Sequence, residues 1–283
     1  DHSTTLYFDE SGNTGDYLTE PNQTVFALAS NTFSDDEAEY LLSYFPSTAS
    51  EVHFTKVKKK ATYQAPLLKF ANDSLITEEK VYYYIGNKVL AAFHKFIEEL
   101  VVEYYYELNI DMHHNGFAKH LSSYIYMDYW SSSDLDEFEF ADAFVSLKRH
   151  PKNHEVERRF FEVLGKGYAS RRNTPIGKAI LKPILKARDF VMERINDNDA
   201  YSFDLAVGYF HASLLAWYKR SGLTTYDIRF DRSKAITLWK DQLIHFAENP
   251  DMYAHVSPPS IDRLPRLKIN SFHSDVDSKQ FKQ

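Results

Sequence analysis

Thr4-Thr5-Leu6-Tyr7-Phe8-Asp9-Glu10-Ser11-Gly12-Asn13 runs from apolar, β-prone residues into two acids and then into turn-forming residues. Aromatic and branched side chains suit a pleated, half-buried surface, and Ser-Gly-Asn suits a turn. Residues 4–9 therefore predict a strand that ends on a carboxylate. Residues 25–29 repeat the pattern, and a polar segment joins the two. Ser34-Asp35-Asp36-Glu37 reads as a helix start with an N-cap and acids in the first turn. That helix runs to about residue 45 and stops before Pro46. Residues 61–71 predict a helix and 81–85 a third strand.

From about residue 89 to residue 220 the apolar spacing is helical. The segments 91–108, 117–130, 135–148, 155–169, 176–195 and 203–219 carry apolar residues three and four apart. Pro183 is expected to kink or split the fifth of them. Residues 226–231 form a fourth strand, with Ile228 and Phe230 alternating against Arg229 and Asp231. A helix over 234–246, capped by Ser233, and a strand over 267–272 complete the order. Three strands, a helical block, a strand, a helix and a strand make the chain order of an RNase H-like α/β fold. Its mixed five-stranded sheet would carry a large all-helical insertion between strands 3 and 4. The expected division is a core of 1–88 and 221–283 and an insertion of 89–220. In that topology strands 1 and 4 are parallel neighbours, so residues at their C-terminal ends meet in one crevice.

Composition narrows the chemistry. The chain has 283 residues, no cysteine, nine glycines and a net charge of −7. Without cysteine there is no disulfide scaffold, thiolate zinc or iron–sulfur site, or cysteine nucleophile. Neither phosphate-cradling glycine motif occurs. No apolar run reaches the ~20 residues of a membrane span, and no signal peptide opens the chain. A soluble, cytoplasmic protein with no membrane partner is expected. The first residue is not methionine and Lys282-Gln283 closes no element, so both ends are expected to be trimmed.

Carboxylates carry the remaining chemistry. Asp9 and Asp231 close strands 1 and 4, and paired carboxylates suit Mg²⁺ or Mn²⁺. Two such ions can activate water and neutralise the leaving oxygen of a phosphodiester. Glu10 points to the other face of a regular strand and joins this site only if the strand ends there. Acids after strands are also common as turn residues and caps. Ser11 and Asn13 are turn residues that would let the backbone approach a metal or phosphate. Glu51, His53 and Lys56 place an acid, an imidazole and a cation within six residues; His53 could move a proton or position a phosphate. Asp275, Asp277 and Lys279 follow the fifth strand and would lie near the same sheet end, or in a solvated tail.

Charge is unevenly spread. Residues 148–188 hold 12 Lys and Arg against three acids, a net +9, which leaves −16 elsewhere. Such a segment is either a solvated helical face or a phosphate-binding face. In the second reading Lys148, Arg149, Arg158, Arg159, Arg171, Arg172, Lys178 and Lys182 contact nucleic acid. The acidic cluster from Asp128 to Asp142 reads as a solvated loop and helix start, or else as a surface for a protein partner.

Leu6-Tyr7-Phe8-Asp9-Glu10-Ser11-Gly12-Asn13 resembles the opening D-E-S-G-[DN] signature of the domain of unknown function 3800 family (DUF3800). Glu51-Val52-His53, Ile228-Arg229-Phe230-Asp231 and Asp277-Ser278-Lys279 resemble its later elements in the same order. The resemblance implies an RNase H-like core and a metal-dependent nuclease, a phosphodiester hydrolase of RNA or DNA. Members occur in phage-defence and mobile-element settings, some beside an ATPase. By position, Asp9, Glu10 and Asp231 would form the acidic centre, with Glu51, His53 and Lys279 nearby. In the family an I-Q-x-A-D helix follows D-S-K, and this chain stops at Gln283 before that segment. The rival reading is a non-cleaving subunit that binds nucleic acid or a protein partner; the many aromatics also allow an oligomer.

Overall fold

A computed structural model describes residues 3–12, 23–45, 57, 59–197, 205–231, 234–249 and 265–274. Five strands form one mixed sheet. They are β1 (Thr4–Ser11), β2 (Val25–Asn31), β3 (Val81–Asn87), β4 (Thr225–Phe230) and β5 (Lys268–His273), in the order β3-β2-β1-β4-β5. β2 is antiparallel to β1 and β3. β4 is parallel to β1 and β5. Each strand lies within a few residues of its expected place. In β4 the alternation puts Tyr226, Ile228 and Phe230 in the core. The parallel pair slips once, since Tyr226 faces Ile269 but Asp227 faces Ser271. Asn270 is therefore an extra residue that bulges β5.

Helix α1 (Asp35–Leu42) starts where expected. Ser34 Oγ accepts from the Glu37 N–H, and Glu37 in turn accepts from the Ser34 N–H, a reciprocal capping box. Glu37 also pairs with Lys80, which ties α1 to the entry of β3. Helix α2 spans Gln64–Ala71.

Between β3 and β4 the described chain is helical. Helix α3 (Lys88–Phe96) widens through a π-helical stretch, Ile97–Val102, into α4 (Glu103–Glu107). Then come α5 (Phe117–Trp130), α6 (Glu137–Arg149) and α7 (His154–Arg171). A second π-helical stretch, Gly177–Leu181, leads into α8 (Lys182–Lys186), and α9 (Arg188–Asp197) follows. Pro183 does not split the run at its own position. It follows directly on the π-helical turn in one continuous helical segment, and the Ala179 carbonyl one turn before it, which its missing N–H cannot reach, accepts from the Tyr105 hydroxyl. The helix splits instead at Ala187, whose backbone leaves the helical region.

Helices α10 (Leu205–Ser221) and α11 (Lys234–Glu248) pack on the sheet. Two hydrophobic cores result. One lies within the helical block, from Val89 to Ile195. The other joins Leu6, Phe8, Leu28, Ile228 and Phe230 of the sheet to Phe210, Leu214 and Trp217 of α10 and Ile236 and Leu243 of α11. Thus α10, which the sequence groups with the helical block, contributes to the sheet's core. Phe8 stacks on Phe230 at 5.5 Å, with Phe210 against both. Trp217 Nε1 donates to Ser30 Oγ (2.8 Å), so the one polar atom of that ring is satisfied inside the core. Among the described residues no helix is long and apolar enough to cross a membrane.

Candidate functional site

The register between β1 and β4 builds the site. Leu6 faces Ile228, and Phe8 faces Phe230. The Asp231 N–H then donates to Phe8 O (3.0 Å), so the ladder continues one residue past β4. Asp9 and Asp231 become the next pair, on strands about 4.8 Å apart. Two aspartates distant in sequence therefore occupy neighbouring backbone positions at the C-terminal end of the parallel pair. Asp9 is exposed and Asp231 half-buried. Asp9 Oδ1 accepts from the Glu10 N–H (2.7 Å), which fixes the orientation of that carboxylate.

Glu10 is a correction. β1 does not end at Asp9 but stays paired through Glu10↔Leu28 and Ser11↔Ala27. In an unbroken strand Glu10 shares its face with Leu6 and Phe8, and Asp9 takes the opposite one. The strand alternation thus places Glu10 and Asp9 on opposite faces of the sheet, so the condition under which Glu10 joins the site, a strand ending at Asp9, is not met. Ser11, the last residue of β1, is exposed. Gly12 makes the turn with φ +84°, and a Cβ there would lie 2.3 Å from Val25 O. The glycine of D-E-S-G is thus required by left-handed backbone and by the close approach of β2.

Asn13, Glu51, His53, Lys56, Asp275, Asp277 and Lys279 lie outside the described residues, as does the Ser233 cap. Among the described residues no group of three or more His, Asp or Glu is placed to hold a metal ion. Two neighbouring carboxylates still fit Mg²⁺ or Mn²⁺ in one mode. Mg²⁺ keeps several waters and is commonly held by one or two carboxylates together with substrate phosphate.

The basic segment is reshaped by folding. Lys148 is fully buried and pairs with Glu99 in the helical core, so it cannot reach a nucleic-acid backbone. Its place was legible: Ala141, Phe144, Val145 and Lys148 fall at i, i+3, i+4 and i+7, one face of α6. Arg171 Nε donates to Asp128 (2.7 Å), Arg159 pairs with Asp142 (2.9 Å), and Arg158 bridges Glu155 and Glu162. Lys166 pairs with Glu139 at 2.9 Å. The acidic cluster is therefore the counter-charge of α7 rather than a bare solvated loop; within it Asp136 caps α6. Arg149 is half-buried at the end of α6. Arg172, Lys178 and Lys182 are exposed and form no salt bridge among the described residues. With the ion-paired but exposed Arg158 and Arg159, they are the part of the expected phosphate-binding face that projects to solvent.

Sequence reasoning passed over a cleft of about 780 Å³ where β3, α3, α5, α10 and α11 meet. Its aromatic walls and its histidine stand on four elements from 84 to 239, so no local motif marks it. No family model, curated protein or solved structure matches the chain.

Proposed function

We propose that the chain is a divalent-metal-dependent nuclease with an RNase H-like core of the DUF3800 type, in which the block between β3 and β4 is an insertion. The observation that carries this reading is the pairing of Asp9 with Asp231 at the C-terminal ends of neighbouring parallel strands. Open α/β sheets bind ligands at that end. The sheet order, with β1 flanked by antiparallel β2 and parallel β4, supports the same reading.

Asp9 and Asp231 would hold Mg²⁺ or Mn²⁺, which supplies charge neutralisation and water activation at a phosphodiester. The chain's own part is to orient those carboxylates. The Glu10 N–H fixes Asp9, and the Asp231 N–H to Phe8 O bond fixes the start of the segment after β4. Exposed Arg172, Lys178 and Lys182 would contact the phosphate backbone, with salt-sensitive affinity. A phage-defence or mobile-element role, with an ATPase as partner, belongs to the same reading.

The test is cleavage of labelled RNA and DNA with Mg²⁺ or Mn²⁺ by the wild-type protein and by Asp9→Ala. Loss of at least a hundredfold in rate is expected for the variant. Equal cleavage by both overturns the assignment.

A further inference from the structure

The cleft at the edge of the sheet is a separate site. Tyr84 of β3 stacks on Tyr209 of α10, with ring centroids 4.3 Å apart and planes 30° from parallel. Trp239 of α11 adds a third aromatic wall. All three rings are half-buried, so part of each is open to a ligand. Gly86 makes the arrangement fit, because a Cβ there would fall 1.8 Å from the Tyr209 hydroxyl oxygen. The cleft lies on the α10 side of the sheet, whereas Asp9 points to the other side.

Its polar groups are few and their roles are determined. Ser122 Oγ donates its one proton to Ala118 O (2.8 Å). With that proton on Ala118 O, the hydroxyl accepts from His94 Nδ1, 3.2 Å away, in the tautomer that leaves Nε2 as an acceptor on a ring that lines the cleft. Burial lowers the pKa of His94, the Lys95, Lys119 and His113 charges add to that, and Glu98 opposes it. The neutral imidazole is thus favoured over its charged form. Lys119 lines the cleft, is exposed, and forms no salt bridge among the described residues.

Flat aromatic walls, an imidazole, and the Lys95 and Lys119 cations beside the Glu98 carboxylate define a ligand. It has a planar ring, an N–H donor at the ring edge and an anionic group a few ångströms away. The geometry points to a nucleotide: its base against Tyr84, Tyr209 and Trp239, a base N–H donating to His94 Nε2, and its phosphate at Lys119. The volume suits one nucleotide, and base–aromatic stacking is the common sequence-tolerant mode of holding one. The source is either a free nucleotide or one unstacked residue of a single strand. The assignment does not rest on the nuclease reading, since it involves neither aspartate.

Calorimetric titration in EDTA tests it, with AMP, a 5′-phosphorylated five-residue deoxyadenylate strand, and inorganic phosphate as probes. AMP or the strand is expected to bind, and phosphate alone to bind far more weakly. His94→Phe, which removes the acceptor, is expected to weaken binding about fivefold to tenfold. Lys119→Glu, an exposed change that leaves packing intact, is expected to weaken it further at low salt than at high salt. Tighter binding of the strand assigns the cleft to a single-stranded end, and equal or tighter binding of AMP assigns it to a free nucleotide. Absence of binding by both probes overturns the proposal, as does unchanged affinity in both folded variants. Because metal is excluded and binding alone is read, the result stands apart from the cleavage assay.

Discussion

At the scale of the residue, Lys148 shows how far burial can redirect a charge. Its ammonium and the Glu99 carboxylate are desolvated together, and Lys95 approaches the same carboxylate at 3.7 Å. Removing one member of such a pair costs more than the pair contributes, because the other charge stays buried without compensation. Lys148→Ala is therefore expected to destabilise the protein by about 3–5 kcal/mol in urea unfolding. Lys148→Met with Glu99→Gln, which removes both charges and keeps the volume, is expected to recover most of that loss. A single variant as stable as the wild type would show that the pair is solvated. Read from the sequence alone, this lysine belonged to a basic run. The helical period carried the contrary signal.

At the scale of the element, two glycines have opposite meanings. Gly86 of β3 admits the Tyr209 ring, which is pinned by stacking on Tyr84. Gly86→Ala is expected to push α10 from the sheet and cost about 1–3 kcal/mol. Gly165 lies in α7, and a Cβ there would have nothing within 4 Å. Gly165→Ala is expected to be neutral or to stabilise by up to about 1 kcal/mol, through helix propensity. Thermal melts of the two variants check both, and a Gly86→Ala melt at the wild-type temperature contradicts the packing argument. The elements themselves were largely legible. Period-two alternation marked β4, three-and-four spacing marked the helices, and Ser34 marked the start of α1. Pro183 was expected to kink or split its helix; the helix widens into a π-helical turn just before it and breaks only at Ala187, an accommodation that no local pattern shows.

At the scale of the whole molecule, the two cores and the charged groups between them set the response to acid. His94 has a folded pKa below its ordinary value. The unfolded chain therefore takes up that proton first, and stability falls as pH drops from about 6.5 towards the lowered value. Asp227 has a folded pKa below the usual carboxylate value because the Ser271 and Ser3 hydroxyls hydrogen-bond to it. Its contribution is full above about pH 4 and is lost as pH falls through the folded value. Melting temperature is expected to decline in two stages, the first beginning as pH falls below about 6.5. His94→Gln, which keeps a polar side chain without titration, is expected to flatten the first stage only. An unchanged profile would mean that His94 is solvated.

The linear chain by itself determined the strands, most helices and their order, because these follow from local periods and turn chemistry; it ended β1 at Asp9, two residues short of its paired length. It also carried the glycine of D-E-S-G, although only the approach of Val25 O explains it. The tertiary structure decided which charges meet. Register set Asp9 beside Asp231 and turned Glu10 away, since one residue along a strand reverses the face. Packing of α6 on α7 spent much of the basic segment on nearby acids, since opposite charges on adjacent helices pair before they reach solvent. The convergence of β3, α3, α5, α10 and α11 created the aromatic cleft, since its walls come from segments more than a hundred residues apart and no local pattern encodes their meeting.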